Sequence, residues 1–249
     1  MNRKLAQDVA AKCVKAISVD DKEAFWQVLN PVLDSKVSFP LLDEIGKQLG
    51  QAGRLDKNRY FVVFDSIIET DKMGGYVIVG QGLAQFFDDN LEAILLKAKE
   101  VITKGKTWYV CDIIGERVFG QALVGYFDEA LTVLKQLTGD ENHAVRRSLG
   151  VSVHFFAKRK PNDTETMRRL FGAILLPLVE DKRVFVVKGT GWGLKTIGRY
   201  QPELGLEFLE KILASKIVSK LMVRKATKYL DTKIKDEMIK RWESGVLKK

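Results

Sequence analysis

The 249-residue sequence predicts an all-α protein in which helix pairs stack as a HEAT-like solenoid, an α–α superhelix with a concave face. Three observations carry this. Apolar residues recur at helical spacing almost everywhere, and only five prolines interrupt them: Pro31, Pro40, Pro161, Pro177 and Pro202. No strand–helix–strand alternation and no tight hairpin signal occurs. Consecutive helical patterns pair with a spacing near ~40 residues, the scale of HEAT repeats, although the letters themselves do not repeat. No linker composition divides the chain, so residues 1–249 are expected to form one repeat domain.

In chain order, Arg3–Ile17 places Leu5, Val9, Ala10, Cys13 and Ile17 on one side. Asp20 or Asp21 can cap a second helix carrying Phe25, Trp26 and Leu29, which Pro31 ends or kinks. Ser38 can cap a third, opened by Phe39 and Pro40 and closed by Gly50 and Gly53. Lys57–Thr70 reads as a helix through Tyr60, Val63, Phe64, Ile67 and Ile68, with a β-branched strand as competitor. Gly75–Phe87 and Leu91–Ile102 follow, then the stretch Thr107–Gly120. Gln121–Leu137 holds one continuous stripe from Leu123 to Leu137. Asn142–Ala157 is next and breaks at Lys158–Pro161. Asp163 or Thr164 can cap Glu165–Glu180, whose end Pro177 bends. Val184–Arg199 and Pro202–Ala214 follow, and Lys216–Trp242 holds two helices or one bent one.

The composition narrows function by exclusion. Two cysteines, Cys13 and Cys111, lack ligand spacing, and only two histidines occur, His143 and His154. A disulfide framework, a zinc site or a histidine metal site is therefore not expected. The charged N-terminus lacks a signal-peptide core, and no window approaches ~18 uninterrupted apolar residues. The expectation is a cytoplasmic monomer, nucleoid-associated if prokaryotic, without cofactor, metal or membrane. The net charge of +9 suits a polyanion, an anionic membrane surface or acidic proteins. Lys216–Lys249 supplies +7 of it. With His143–Arg147 and Lys158–Lys160, this one-sided excess favours a DNA or RNA footprint over a merely solvated face.

Two glycine-rich stretches fail as phosphate loops. Gly75–Gly82 has Gln81 where lysine is required. Gly189–Thr196 has Leu194 where the second glycine belongs, and neither follows a strand. The glycines instead suit close helix–helix approach. In the central stretch, Trp108 and Asp112 lie one helical turn apart on one face. Read alone, that pair is either a core tryptophan beside a solvated or capping aspartate, or an aromatic and a carboxylate offered to a ligand.

Three segments together carry a resemblance: W-Y-V-C-D at Trp108–Asp112, V-R-R-S-L-G at Val145–Gly150, and K-G-T-G-W-G-L-K at Lys188–Lys195. In this order and at these separations they resemble the AlkD-like DNA alkylation-repair glycosylases, built from HEAT-like repeats. The resemblance runs from roughly Arg54 to Arg241. It implies that Trp108, Asp112, Arg147 and Trp192 line a concave DNA cleft, with Arg146 as competitor for the role of Arg147.

The activity it implies is monofunctional excision of N3- and N7-alkylated purines from duplex DNA. Such a base is already a good leaving group, so positive charge develops on the sugar, where a carboxylate such as Asp112 can stabilise it. Trp108 and Trp192 can meet cationic groups with their ring faces, and Arg147 can clamp a phosphate. Arg146, Lys158, Arg159 and Lys160 are further DNA-contact candidates. Two other readings use the same residues: a non-catalytic protein for distorted or branched DNA, and a protein–protein solenoid adaptor.

Overall fold

The computed structural model describes residues 1–105, 107–215 and 217–244, and these are helical with no strand. They gather into two compact units, Met1–Val118 and Phe119–Lys249. The first holds α1 (Arg3–Ser18), α2 (Lys22–Leu33), α3 (Phe39–Gly53), α4 (Lys57–Glu69), α5 (Met73–Leu83), α6 (Leu91–Lys104) and α7 (Trp108–Ile114). The second holds α8 (Gln121–Gly125), α9 (Phe127–Gln136), α10 (His143–Arg159), α11 (Thr164–Leu170), α12 (Leu176–Leu178), α13 (Val184–Tyr200), α14 (Pro202–Ser215), α15 (Lys220–Ala226) and α16 (Thr232–Ser244). The boundary falls inside a π-helical turn, Gly115–Gly120, and not in a linker.

Short polar side chains start many of these helices. Asn2, Asp21, Asp56, Asn90, Asn142, Asp163 and Ser219 each accept an otherwise orphaned backbone N–H in the first turn, an arrangement worth ~1 kcal/mol apiece. Asp20 takes a left-handed backbone (φ 55°), which lets the chain reverse between α1 and α2. Pro31 lies within α2 and does not end it.

Alternate helices lie side by side and parallel. A Cβ on Gly46 would meet Ile78 O at 2.2 Å, and one on Gly50 would meet Gly82 O at 2.3 Å, so α3 and α5 touch backbone to backbone. In the second unit a Cβ on Gly150 would stand 2.4 Å from Gly189 C, and one on Gly191 2.6 Å from Lys225 Cδ. Thus α10 packs on α13 and α13 on α15, while helices such as α4 and α14 bridge successive members of a row. This repetition is that of a helical-repeat solenoid. Cys13 and Cys111 are both buried, and burial pushes the Cys13 thiol up to about 12.

Three stretches depart from the sequence expectation. The helix expected over Gln121–Leu137 breaks at Tyr126 (φ −137°, ψ 51°), beside exposed Gly125. Apolar spacing continues across that break, so periodicity hides it. The helix expected over Glu165–Glu180 widens into a π-turn at Phe171–Leu175 just before Pro177. Proline has no N–H and its ring collides with the carbonyl four residues earlier, and the wider turn accommodates both. The stretch Thr107–Gly120 likewise changes from α to π after Ile114. Lys216 and residues 245–249, part of the basic C-terminal run, lie outside the described residues.

Candidate nucleic-acid interface

In the first unit, α7 carries Trp108 and Asp112. Tyr109, between them, meets the Trp108 ring edge-on at 6.1 Å and reaches the turn before α5. Its ring meets Tyr76 edge-on at 6.0 Å, and its hydroxyl donates to Asp71 O at 3.5 Å. Tyr76 in turn donates to Asp71 Oδ1 at 2.8 Å, and burial together with that carboxylate raises its pKa. Asp71 has a positive φ of 52° in the turn before α5, and that turn holds α7 through Tyr109. Beyond α7, Arg117 Nε and Nη2 reach the two carboxylate oxygens of Asp43 at 2.6 and 3.2 Å and fasten the π-turn to α3. Val110, Cys111, Ile113 and Ile114 form the buried face of α7, and Trp108 and Asp112 lie on the side away from it. Trp108 is 59 % exposed, and Asp112 is half-buried. The core-tryptophan alternative does not hold for Trp108.

In the second unit, α10 and α13 run in parallel register. Arg147 lies beside Phe185 and Gly189. Its guanidinium rests 4.7 Å from the Phe185 ring, and Nη1 donates to Phe185 O at 3.3 Å. Arg147 is only 7 % exposed, held by its stem against Gly189. Arg146 faces another way. Its Nε donates to Asp181 Oδ2 at 3.0 Å, and Nη1 donates to Asp140 O and Glu141 O. That guanidinium is engaged in tying α10 to the turn before α13, which separates the two neighbouring arginines. Lys158, Arg159 and Lys160 are exposed at the end of α10, where cations also suit the helix C-terminus.

Trp192 is half-buried and stacks on His154, with centroids 4.2 Å apart and planes at 24°. Thr196 fixes this pair. Its hydroxyl donates to Trp192 O at 2.8 Å, so its 2.7 Å contact with His154 Nδ1 must be an N–H donated by the imidazole. Burial first, then Lys158 and Lys195, lower the His154 pKa to about 4. The ring is therefore neutral near pH 7. The unfolded chain binds a proton near pH 6.5 that the native ring refuses until about pH 4. His154 therefore costs no stability above pH ~6.5 and progressively more as pH falls toward 4, up to ~2 kcal/mol after allowing for partial solvent access. Urea midpoints against pH should show this fall in the wild type and a shallower one in His154→Phe, which keeps the stack without the titration.

Around Trp192 the cations cluster. Lys188, Trp192, Lys195 and Arg199 occupy one face of α13 at spacings of 4, 3 and 4. Lys225 reaches over Gly191 from α15. Burial lowers its pKa, and the charges of Lys195, Lys188, Lys228 and Arg147 lower it further. Among the described residues, Lys188, Lys195, Arg199, Lys225 and Lys228 make no ion pair. Arg54, Arg117, Arg146, Arg168 and Arg169 all do. A crowded set of cations without carboxylate partners is an anion site left open. Lys188 and Lys195 lie inside a sequence motif and Lys225 and Lys228 inside the basic C-terminal run, whereas sequence reasoning missed His154 and Thr196 as the supports of Trp192. The 4-3-4 spacing on α13 was the available signal.

Stacked parallel helices, an outward tryptophan–aspartate pair and an unneutralised cationic surface define an all-helical protein built to meet a polyanion. Residues 36–230 match the family of DNA alkylation repair enzymes, and the chain belongs to that family. Its role is in DNA repair and its partner is DNA. No curated protein and no solved structure matches it significantly. Among the described residues, no helix is long and apolar enough to cross a membrane, and no group of three or more His, Cys, Asp or Glu side chains could hold a metal.

Proposed function

We propose that the protein is a monofunctional DNA glycosylase that releases cationic N3- and N7-alkylated purines from duplex DNA. The observation that carries this reading is the pair on α7: a tryptophan 59 % exposed, one turn before a half-buried aspartate, inside the region the family shares. Tryptophan is highly buried on average, so a ring this exposed beside a carboxylate offers a contact surface.

The alkylated base carries a positive charge, so the C1′–N bond can break without a general acid. Its electron pair neutralises the departing purine, and positive charge passes to the deoxyribose. Asp112 would face that sugar, stabilise its charge and accept the proton of the water that attacks C1′. Trp108 would lie against the sugar and the cationic nucleotide through its ring face. Arg147, Trp192 and the lysines of α13 and α15 would hold a DNA strand by its backbone, and membership of a DNA-repair family supports DNA as the polyanion. Arg146 is assigned to the scaffold.

Release of N7-methylguanine from methylated duplex DNA tests the activity. No release on several cationic lesions, with duplex binding intact, would favour the non-catalytic DNA-binding reading, which the same cation cluster would serve. Duplex binding should weaken linearly in a log–log salt titration. Lys188→Gln with Lys195→Gln should lower that slope by about 2, one for each phosphate no longer neutralised, and weaken damaged and undamaged duplex alike. An unchanged slope would remove these lysines from the interface.

A further inference from the structure

The cationic face of α13 ends in two tyrosines that the lesion chemistry does not use. Tyr200 closes α13 and is 39 % exposed; Tyr229, in the turn after α15, is 41 % exposed. The Arg199 guanidinium lies 5.7 Å from the first ring and 5.5 Å from the second, and Lys228 Nζ lies 5.8 Å from the Tyr229 ring. All four residues are exposed, and among the described residues neither cation makes an ion pair. This differs from Arg168, where a similarly exposed cation is bound to Glu207 at 2.9 Å.

From this arrangement we infer a second DNA subsite, in which Tyr200 and Tyr229 stack on an unpaired nucleotide of the strand held by α13, while Arg199 and Lys228 take its phosphates. This rests on the DNA reading of the α13 surface and extends it. The chemistry is specific. A guanidinium resting against aromatic rings uses its faces, and its N–H groups lie in its plane, directed at whatever sits beside it. Exposed aromatics set among unneutralised cations match what an unstacked nucleotide offers, a flat π-face and a charged linkage. A base inside a paired stack offers no free face, so a fully paired duplex could use only the cations. A protein surface is a poorer fit, because it would have to supply carboxylates at two adjacent points.

Position along the helix sharpens the proposal. Arg199 lies seven residues beyond Trp192 on the same face, ~10 Å along the axis. That length equals about three nucleotide steps at ~3.4 Å each. The unpaired nucleotide is thus expected about three positions from the one Trp192 contacts.

The test compares affinity for an undamaged, fully paired duplex with that for the same duplex carrying one extrahelical thymidine. Wild type should bind the bulged duplex roughly 5- to 10-fold more tightly, the scale of one base–aromatic stack. Tyr200→Ala with Tyr229→Ala should abolish the preference and leave paired-duplex affinity within about 2-fold, since no cation is removed. The corresponding double Phe variant should keep the preference. Equal affinity of wild type for both probes, or a preference that survives the double Ala variant, overturns the subsite while leaving the paired-duplex reading standing. Absence of binding to either probe overturns both.

Discussion

Replacing Asp112 by asparagine is expected to slow single-turnover release of N7-methylguanine by ~10²–10³-fold, the scale of losing one preorganised electrostatic partner, or ~2.7–4 kcal/mol of transition-state stabilisation. The substitution keeps shape and some hydrogen bonding and removes only the charge. Affinity for duplex DNA should hold or rise, because a negative charge near phosphates is removed. This opposition separates catalysis from folding, since a misfolded protein loses both. Trp108→Ala should slow release too, but with weaker binding, because its exposed ring is the contact surface proposed for the nucleotide. Equal rates for wild type and Asp112→Asn would take Asp112 out of the mechanism.

The second large effect is expected at Gly150. An alanine there places its Cβ 2.4 Å from both Gly189 C and Thr190 N, backbone atoms that cannot swing aside. Helices α10 and α13 must separate, at ~3 kcal/mol, the upper part of the range for overpacked cores. For a chain of this size that lowers Tm by roughly 6–12 °C. Because Arg147 and Trp192 ride on these two helices, duplex affinity should fall as well. Gly172→Ala is the control: its Cβ would meet nothing within 4 Å, and Tm should change little. Calorimetry on both variants checks this, and a Gly150→Ala protein as stable as the control would refute the close packing.

Helix identity was legible because each buried face writes its own period into the sequence. Arg3–Ser18 and Val184–Tyr200 match their expected spans closely, and Asp21 and Asp163 cap where their side chains allow. The breaks were not legible, since the apolar stripe persists through Tyr126 and through the π-turn at Phe171–Leu175. Of the candidate site, the sequence displays the residue types and not the contacts that support them. Arg146 and Arg147 are neighbours ~100° apart on a helix, and what fastens Arg146 to the scaffold is Asp181, 35 residues away. Segment charge misleads for the same reason. Lys220 belongs to the basic C-terminal run, yet Glu243 already neutralises it at 2.6 Å. Lys188 and Lys195 sit in a segment of ordinary charge and keep theirs.

The burial of the two sulfur atoms bears on the conditions under which such a protein works. The reagents that alkylate purines are electrophiles, and the thiolate is the most reactive nucleophile a protein ordinarily offers them. Cys13 is held protonated far above neutral pH inside the first unit, and Cys111, the residue before Asp112, has no surface to offer. The helix that bears Trp108 and Asp112 therefore carries its sulfur where a methylating agent does not reach it. Both thiols of this DNA-repair protein are thus shielded at exposures that alkylate DNA.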